Sequence, residues 1–295
     1  MSAIGLDIGG TSVKAAAFDL ASEDIREARS DAYARPDASA LRAAVRDAWA
    51  RAGQPRAECV GLCLPGRFDD ERGVIDAAVN LPALVGARPA DWLPDELAAA
   101  RVVITADAEA AALDLARDAP PSQRLLALSI GTGVGVCVLE GRTHLRVIGR
   151  SPGRLGQVDV GGLGEDRPAL PVGADGGRGS LEAFIGLPAL RERFPGHAPE
   201  TLPSAIEPGD IALRALAQAL RIAHAVWAPH RIVLLGGVGI RLSPEAIADL
   251  HARTAEDLTS LAQPGWILEQ GTTDYHAARG ALGLAREANA ADSEP

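Results

Sequence analysis

Lysine is all but missing from this sequence: of its 29 basic residues only Lys14 is a lysine, and the rest are arginines. Abundant alanine, glycine and proline accompany that imbalance, which reads as coding bias rather than chemistry. Basic charge is also short overall, with 39 acidic residues against 29, a net charge of −10 and a pI of about 5.1. Such a surface repels phosphodiester backbones, so nucleic acid is not an expected partner. Cysteine is scarce and odd in number. Cys59, Cys63 and Cys137 lie in apolar runs, which predicts buried free thiols in a reducing compartment and no disulfide framework. No apolar run reaches the roughly 18 residues of a membrane span, and no basic segment followed by an apolar stretch marks a signal peptide. The expectation is a cytoplasmic protein with no membrane partner. What the chain has in quantity is apolar content, 47% of 295 residues, enough for one large core or two modest ones.

The stretch Ile4–Leu20, IGLDIGGTSVKAAAFDL, joins two β-like runs through Gly9–Gly10 and reads as a hairpin with bare backbone at its turn. Glycine lets amide N–H groups approach an anion closely, because no Cβ intervenes. Asp7 stands where a phosphate-bound Mg²⁺ could be held, and Thr11 can donate to a phosphate oxygen. The competing reading is an ordinary N-terminal hairpin. The pattern returns at Leu125 as LLALSIGTGVGVCVLEG, and superposing Ile130–Gly131 on Ile8–Gly9 gives a period of 122 residues. Two copies of one unit predict two related lobes, each offering amides to a polyphosphate. The second copy carries Ser129 where Asp7 stands, so only the first is ready for a metal.

Between and after the hairpins, apolar periodicity predicts helices over Ser39–Arg51, Pro94–Ala100, Ala108–Arg117, Ile211–Trp227, Pro244–Leu261 and from Tyr275 to about Glu287. Strands are predicted at Cys59–Leu64, Arg101–Thr105, Arg231–Leu235 and near Trp266–Glu269. Strands alternating with helices indicate an α/β fold. The expected division is an N-terminal lobe over 1–107, completed by the C-terminal helix 275–289, and a second lobe over 108–274. Ser151–Gly179 lacks periodicity, and a loop of that length in a compact domain is usually functional.

Gly131–Gly135 and Gly236–Gly239 do not meet the dinucleotide fingerprint: the first opens a strand and the second lacks the third glycine at its spacing. Gly236 and Gly237 fit better as a close-approach surface for an adenosine moiety, or as a plain strand-to-helix turn. Asp107, between a strand and a helix, is either a helix N-cap or a base that takes a proton from a hydroxyl. A helix N-terminus keeps such a carboxylate ionised, so the two roles compete only in part.

Asp7-x-Gly9-x-Thr11, Gly131-Thr-Gly-Val-Gly, Pro65–Gly66, Asn80–Leu81, Asp107 and Gly236–Gly237 together resemble the ROK family of sugar kinases (repressors, open reading frames, kinases), in the actin/hexokinase-like superfamily. The resemblance covers nearly the whole chain. It implies two ribonuclease-H-like lobes around a central cleft, and a homodimer. It also implies ATP held by Gly9, Gly10, Thr11, Lys14, Gly131, Thr132, Gly133, Gly236 and Gly237, with Mg²⁺ near Asp7. Asp107 becomes the catalytic base, and Pro65, Gly66, Asn80, Ala106, Arg154, Gln157 and Glu182 fall at the sugar site. With few residues before Ile4, no helix-turn-helix is expected there, which favours the kinase branch.

The departures from the family pattern concentrate at the acceptor end. Ala106 stands where the family usually has Asn, and Arg154-Leu-Gly-Gln157 where it has Glu-x-Gly-His. The zinc signature Cys-x-Cys-Gly-x-x-Gly-Cys-x-Glu is replaced by Gly173-Ala-Asp-Gly-Gly-Arg-Gly-Ser-Leu-Glu182. None of Gln157, Gly173, Asp175 or Ser180 offers the imidazole or thiolate that structural zinc uses, so the loop is expected to fold without zinc. Arg for Glu reverses both charge and hydrogen-bond polarity, which predicts an acceptor other than glucose, such as a sugar acid or other anionic polyol. Arg154 pointing to solvent, or pairing with Glu182, is the alternative. A non-catalytic nucleotide- or sugar-binding sensor is the rival to a kinase, and the two retained carboxylates argue against it.

Overall fold

The computed structural model describes residues 3–18, 24–69, 71–78, 81–147, 151–162, 167–173 and 176–291. The chain divides into two compact units, Met1–Leu115 with Tyr275–Pro295, and Ala116–Asp274.

The first unit is built on β1 (Ala3–Ile8), β2 (Val13–Phe18), β3 (Ile25–Arg29), α1 (Ala38–Arg51), β4 (Cys59–Cys63), β5 (Arg67–Asp69), β6 (Val74–Ala77), β7 (Arg101–Thr105) and α2 (Asp107–Leu115). Its sheet has the order β3-β2-β1-β4-β7: β1–β3 form an antiparallel meander, and β4 and β7 continue in parallel. β5 and β6 pair as a separate small hairpin. Side chains alternate faces along a strand. Ile4, Leu6 and Ile8 accordingly pack with Leu41, Val45 and Trp49 of α1. Asp37 caps α1, accepting from the Ala40 amide at 2.8 Å. The helix expected over Pro94–Ala100 is reduced to a single 3₁₀ turn, Asp95–Leu97. Pro82, Pro89 and Pro94 each open a short 3₁₀ turn or stand just before one. A residue preceding proline is held extended, which breaks this segment into pieces.

The second unit repeats the plan with β8 (Arg124–Ile130), β9 (Val134–Glu140), β10 (Thr143–His144), α3 (Leu181–Ile185), α4 (Leu187–Arg193), α5 (Ile211–Trp227), β11 (Arg231–Leu235), α6 (Gly236–Gly239), α7 (Pro244–Glu256) and β12 (Ile267–Gln270). The sheet order β10-β9-β8-β11-β12 again combines an antiparallel meander with two parallel strands. The sequence period is therefore a structural one. Leu213, Leu216 and Leu220 of α5 pack with Leu126, Leu128, Ile232 and Leu234 of the sheet.

The connector at 151–179 is pinned by specific bonds. Asp159 pairs with Arg167 at 2.7 Å and accepts from the Gly161 amide. Arg178 donates to the carbonyls of Pro168 and Leu170 at 2.8 and 2.9 Å. Backbone bonds Val160–Gly179 and Leu181–Val158 then deliver the chain into α3.

The last helix, α8 (His276–Ala291), belongs to the first unit and covers the sheet face opposite α1, with Ala278, Leu282 and Ala285 against Ala3, Ala16 and Cys59. It lies directly on backbone. A Cβ on Gly5 or Gly61 would fall 2.0 Å from the Ala278 carbonyl oxygen and 1.9 Å from that of Ala281. Gly280 meets α2 as closely, 1.8 Å from the Ala110 carbonyl oxygen, and His276 Nδ1 joins Asp114 Oδ2 at 2.7 Å.

Candidate active site

In the first unit the register Asp7–Cys63–Thr105 aligns the C-terminal ends of three parallel strands. Ligands bind at that edge in parallel α/β sheets. The loops leaving it carry Gly9–Thr11, Pro65–Gly66 and Ala106–Asp107, so the fold gathers these sequence-predicted residues at one rim. Asn80 lies outside the described residues. Gly66 has φ +110°, and its missing Cβ would lie 2.2 Å from the Ala77 carbonyl oxygen, a place only glycine can occupy.

Asp7 and Lys14 are directly opposite each other across β1 and β2, which puts both side chains on one face. Lys14 Nζ lies 3.2 Å from Asp7 Oδ2, with the carboxylate side chain 7% and the lysine 21% exposed. Asp107 is the first residue of α2 rather than its cap: Ala106 supplies the carbonyl that accepts from the Ala110 amide, and Asp107 Oδ1 accepts from the Ala108 amide at 2.8 Å. Burial, then the negative charge of Asp7, raise the Asp107 pKa above the usual carboxylate value. The Ala108 amide and Lys14 pull the other way without cancelling the rise. Cys63, buried beside these groups, has its thiol pushed well up by burial and then by Asp7, Asp107 and Glu109. The thiol is therefore neutral and donates to the Ala277 carbonyl at 3.4 Å, and all three cysteines are buried.

Sequence reasoning did not single out Tyr33. Its N–H donates to the Thr11 carbonyl at 2.8 Å and its hydroxyl to the Gly9 carbonyl at 2.6 Å. Burial, then Asp7, push its pKa up, so the phenol stays protonated and donates. The one available signal was compositional: it is one of two tyrosines, placed in a polar loop.

In the second unit the hairpin turn Gly131–Gly133 follows β8, and Gly236 follows the parallel neighbour β11. Gly236 has φ +74°, and a Cβ there would lie 2.5 Å from the Ile130 carbonyl oxygen, so the two glycine clusters are adjacent. Gly236–Gly239 forms one helical turn, with Arg241 donating to the Gly237 carbonyl at 2.9 Å and bonding Asp274. The turn Leu155–Gln157 packs on the start of β9, where a Cβ on Gly156 would lie 2.8 Å from Val134 Cβ. Arg154 and Gln157, flanking that contact, are exposed, and Arg154 makes no ion pair among the described residues. Glu182 does not reach outward alone: its Oε2 accepts from the Val134 amide at 3.0 Å and lies 2.9 Å from where a Gly133 Cβ would be. Glu182 thus holds the second glycine turn.

The amides of the two turns are not equally available. Gly9 N–H donates to the Ser12 carbonyl at 3.1 Å, and Gly131 N–H to the Gly133 carbonyl at 2.9 Å, so both close their own turns. Gly10 and Thr132 N–H take no acceptor among the described residues. Mg²⁺ is held through one or two carboxylates plus phosphate oxygens, and Asp7 at the strand edge, with Asp107 nearby, is a donor set of that kind. Among the described residues no cluster of three or more His, Cys, Asp or Glu side chains could hold a metal alone.

Two α/β units, each a five-stranded sheet with a glycine-turned hairpin leading into parallel strands, define the actin-like ATPase fold. The ROK family model matches residues 3–288, and the chain belongs to the ROK family. Among solved structures it is similar to the ROK hexokinase from Thermus thermophilus, with 26% identity, 99% of this chain and 100% of that one covered, and a TM-score of 0.69. A ROK family glucokinase from Streptomyces griseus, in complex with glucose and AMPPNP, shares the fold at 21% identity over 97% of this chain and 100% of that one, with a TM-score of 0.69. So does a ROK family transcriptional regulator homologous to the E. coli MLC protein, at 16% identity over 96% of this chain and 78% of that one, with a TM-score of 0.66. No curated protein matches the sequence.

Proposed function

We propose that this protein is a carbohydrate kinase that transfers a phosphoryl group from ATP to a hydroxyl of a sugar or sugar derivative other than glucose. The observation that carries the reading is Asp107, at the start of α2, with a carboxyl whose pKa is raised by burial and by Asp7. A base is most effective when its pKa approaches the working pH, and Asp107 is shifted in that direction. It takes the proton of the acceptor hydroxyl as the oxygen attacks the terminal phosphorus. Asp7 holds Mg²⁺, and Lys14 beside it supplies a positive charge to the phosphates. ATP would supply the phosphoryl group and leave as ADP, and the magnesium ion bound with it would offset charge on the phosphates. The turns Gly9–Thr11 and Gly131–Gly133 offer backbone donors to phosphate, and Gly236–Gly237 a bare surface to adenosine. Positioning and charge stabilisation account for most of the catalysis of phosphoryl transfer, so a carboxylate of moderate basicity suffices.

The acceptor reading rests on Arg154. It is exposed, is unpaired among the described residues, and donates only, so it suits an anionic group better than a pair of hydroxyls. ADP release measured over a panel of neutral and acidic sugars tests both parts, with Asp107→Asn alongside. Turnover that requires a sugar and falls by several orders of magnitude in Asp107→Asn is the expected result. Absence of turnover with every acceptor overturns the kinase in favour of a binding-only sensor. Glucose preferred over acidic sugars removes the altered acceptor and leaves the kinase. Assembly as a homodimer belongs to the same reading, and light scattering checks it.

A further inference from the structure

The two turns share a feature beyond their glycines. In the first, the Gly9 carbonyl accepts from the Tyr33 hydroxyl at 2.6 Å. In the second, the carbonyl at the equivalent position, Gly131, accepts from the Leu187 amide at 2.8 Å. The same oxygen is tied back in both copies, by a phenol in one and a backbone amide in the other. A trans peptide is planar, with its C=O and N–H pointing in opposite directions, and no cis bond occurs among the described residues. Pulling the Gly9 carbonyl toward Tyr33 therefore aims the Gly10 N–H away from Tyr33. Within its own unit, the Leu187 bond likewise aims the Thr132 N–H away from Leu187. Both are among the turn amides that take no protein acceptor among the described residues, as are the Thr11 and Gly133 N–H groups that follow them.

We infer that Tyr33 is a positioning residue for phosphate binding: its hydroxyl fixes the Gly9–Gly10 peptide so that the Gly10 N–H is presented to a phosphate oxygen. The assignment rests on the nucleotide-binding reading and deepens it. A second bond makes the tether local and stiff, since the Tyr33 N–H also donates to the Thr11 carbonyl, two residues along the same turn. The backbone bond survives any substitution of the side chain except proline, so Tyr33→Phe removes only the hydroxyl contact and keeps the half-buried ring. The second turn is held by backbone and glutamate and is the internal reference.

The test compares wild type with Tyr33→Phe for binding of ATP, of inorganic tripolyphosphate and of adenosine, together with KM and kcat. Loss of one neutral hydrogen bond predicts ATP and tripolyphosphate weakened by roughly two- to tenfold, with nucleotide KM rising in parallel, kcat nearly unchanged and adenosine binding unchanged. Equal affinities for tripolyphosphate in the two proteins overturn the assignment. Equal weakening of all three ligands also overturns it, because that pattern reports general loosening. A wild type that binds neither ATP nor tripolyphosphate overturns the nucleotide reading itself and Tyr33 with it, whereas a wild type that binds both isolates the failure to Tyr33.

Discussion

At the scale of single residues, charge placement decides what the site can do. Asp107 gains a raised pKa first from burial and then from Asp7, while Lys14 opposes the shift. A base works only when ionised, so activity is lost as pH falls through this raised pKa. The acidic limb of kcat/KM is expected above the ordinary aspartate value of about 3.9. In Asp7→Asn the repelling charge is gone, and the Asp107 pKa should fall. Carbon-detected NMR titration of the carboxyl reads that shift without requiring activity, and an unchanged or higher value contradicts the electrostatic account. The two carboxylates were legible in the sequence because each stands at a strand end beside glycine or a helix start. Tyr33 was not, because its partner Gly9 lies 24 residues away and nothing local marks the contact. Glu182 was legible as a residue, but its bond to the Val134 amide was not, since it spans 48 residues.

At the scale of elements, the C-terminal helix depends on three glycines. Gly5 and Gly61 let α8 lie on the strand backbones, and Gly280 lets it lie on α2. Gly61→Ala places a methyl 1.9 Å from the Ala281 carbonyl oxygen, with no flexible side chain to yield. It is expected to cost several kcal/mol or prevent folding, as overpacking against rigid backbone does. Gly283→Ala, on the same helix with nothing within 4 Å of its Cβ, should instead stabilise by about 0.5–1 kcal/mol through helix propensity. Urea unfolding of the pair checks both, and equal midpoints contradict the close-contact account. Elements with strong periodicity read well from sequence: α5 spans Ile211–Trp227 and β11 spans Arg231–Leu235, as expected. β3 was not anticipated, because IREAR carries three charges on an edge strand and shows little apolar alternation. The 94–100 segment gives only one 3₁₀ turn because Pro94 sets its start and few residues remain before β7, too few to sustain a longer helix.

At the scale of the whole chain, the 122-residue repeat is the feature the sequence disclosed most fully, since both copies fold to the same strand order. Their chemistry diverges inside that common plan. The first copy pairs Asp7 with Lys14, while the second has Ser129 paired with Gly135 in the corresponding ladder and takes its anchor from Glu182. Divergence extends to the connector, where Arg178 and the Asp159–Arg167 pair tie together a loop that carries no cysteine. The lysine that meets Asp7 is also the only one in 295 residues. Apart from the α-amino group, the molecule has a single primary amine, and it stands beside the carboxylate proposed to hold Mg²⁺. Amine-reactive acylation is therefore a site-directed modification here, without engineering. Intact-mass analysis should find one side-chain adduct, at Lys14, forming more slowly when ATP is bound, and turnover should decline in step with its formation. Fixatives and cross-linkers that act on lysine will likewise report on this one hairpin and on almost nothing else in the protein.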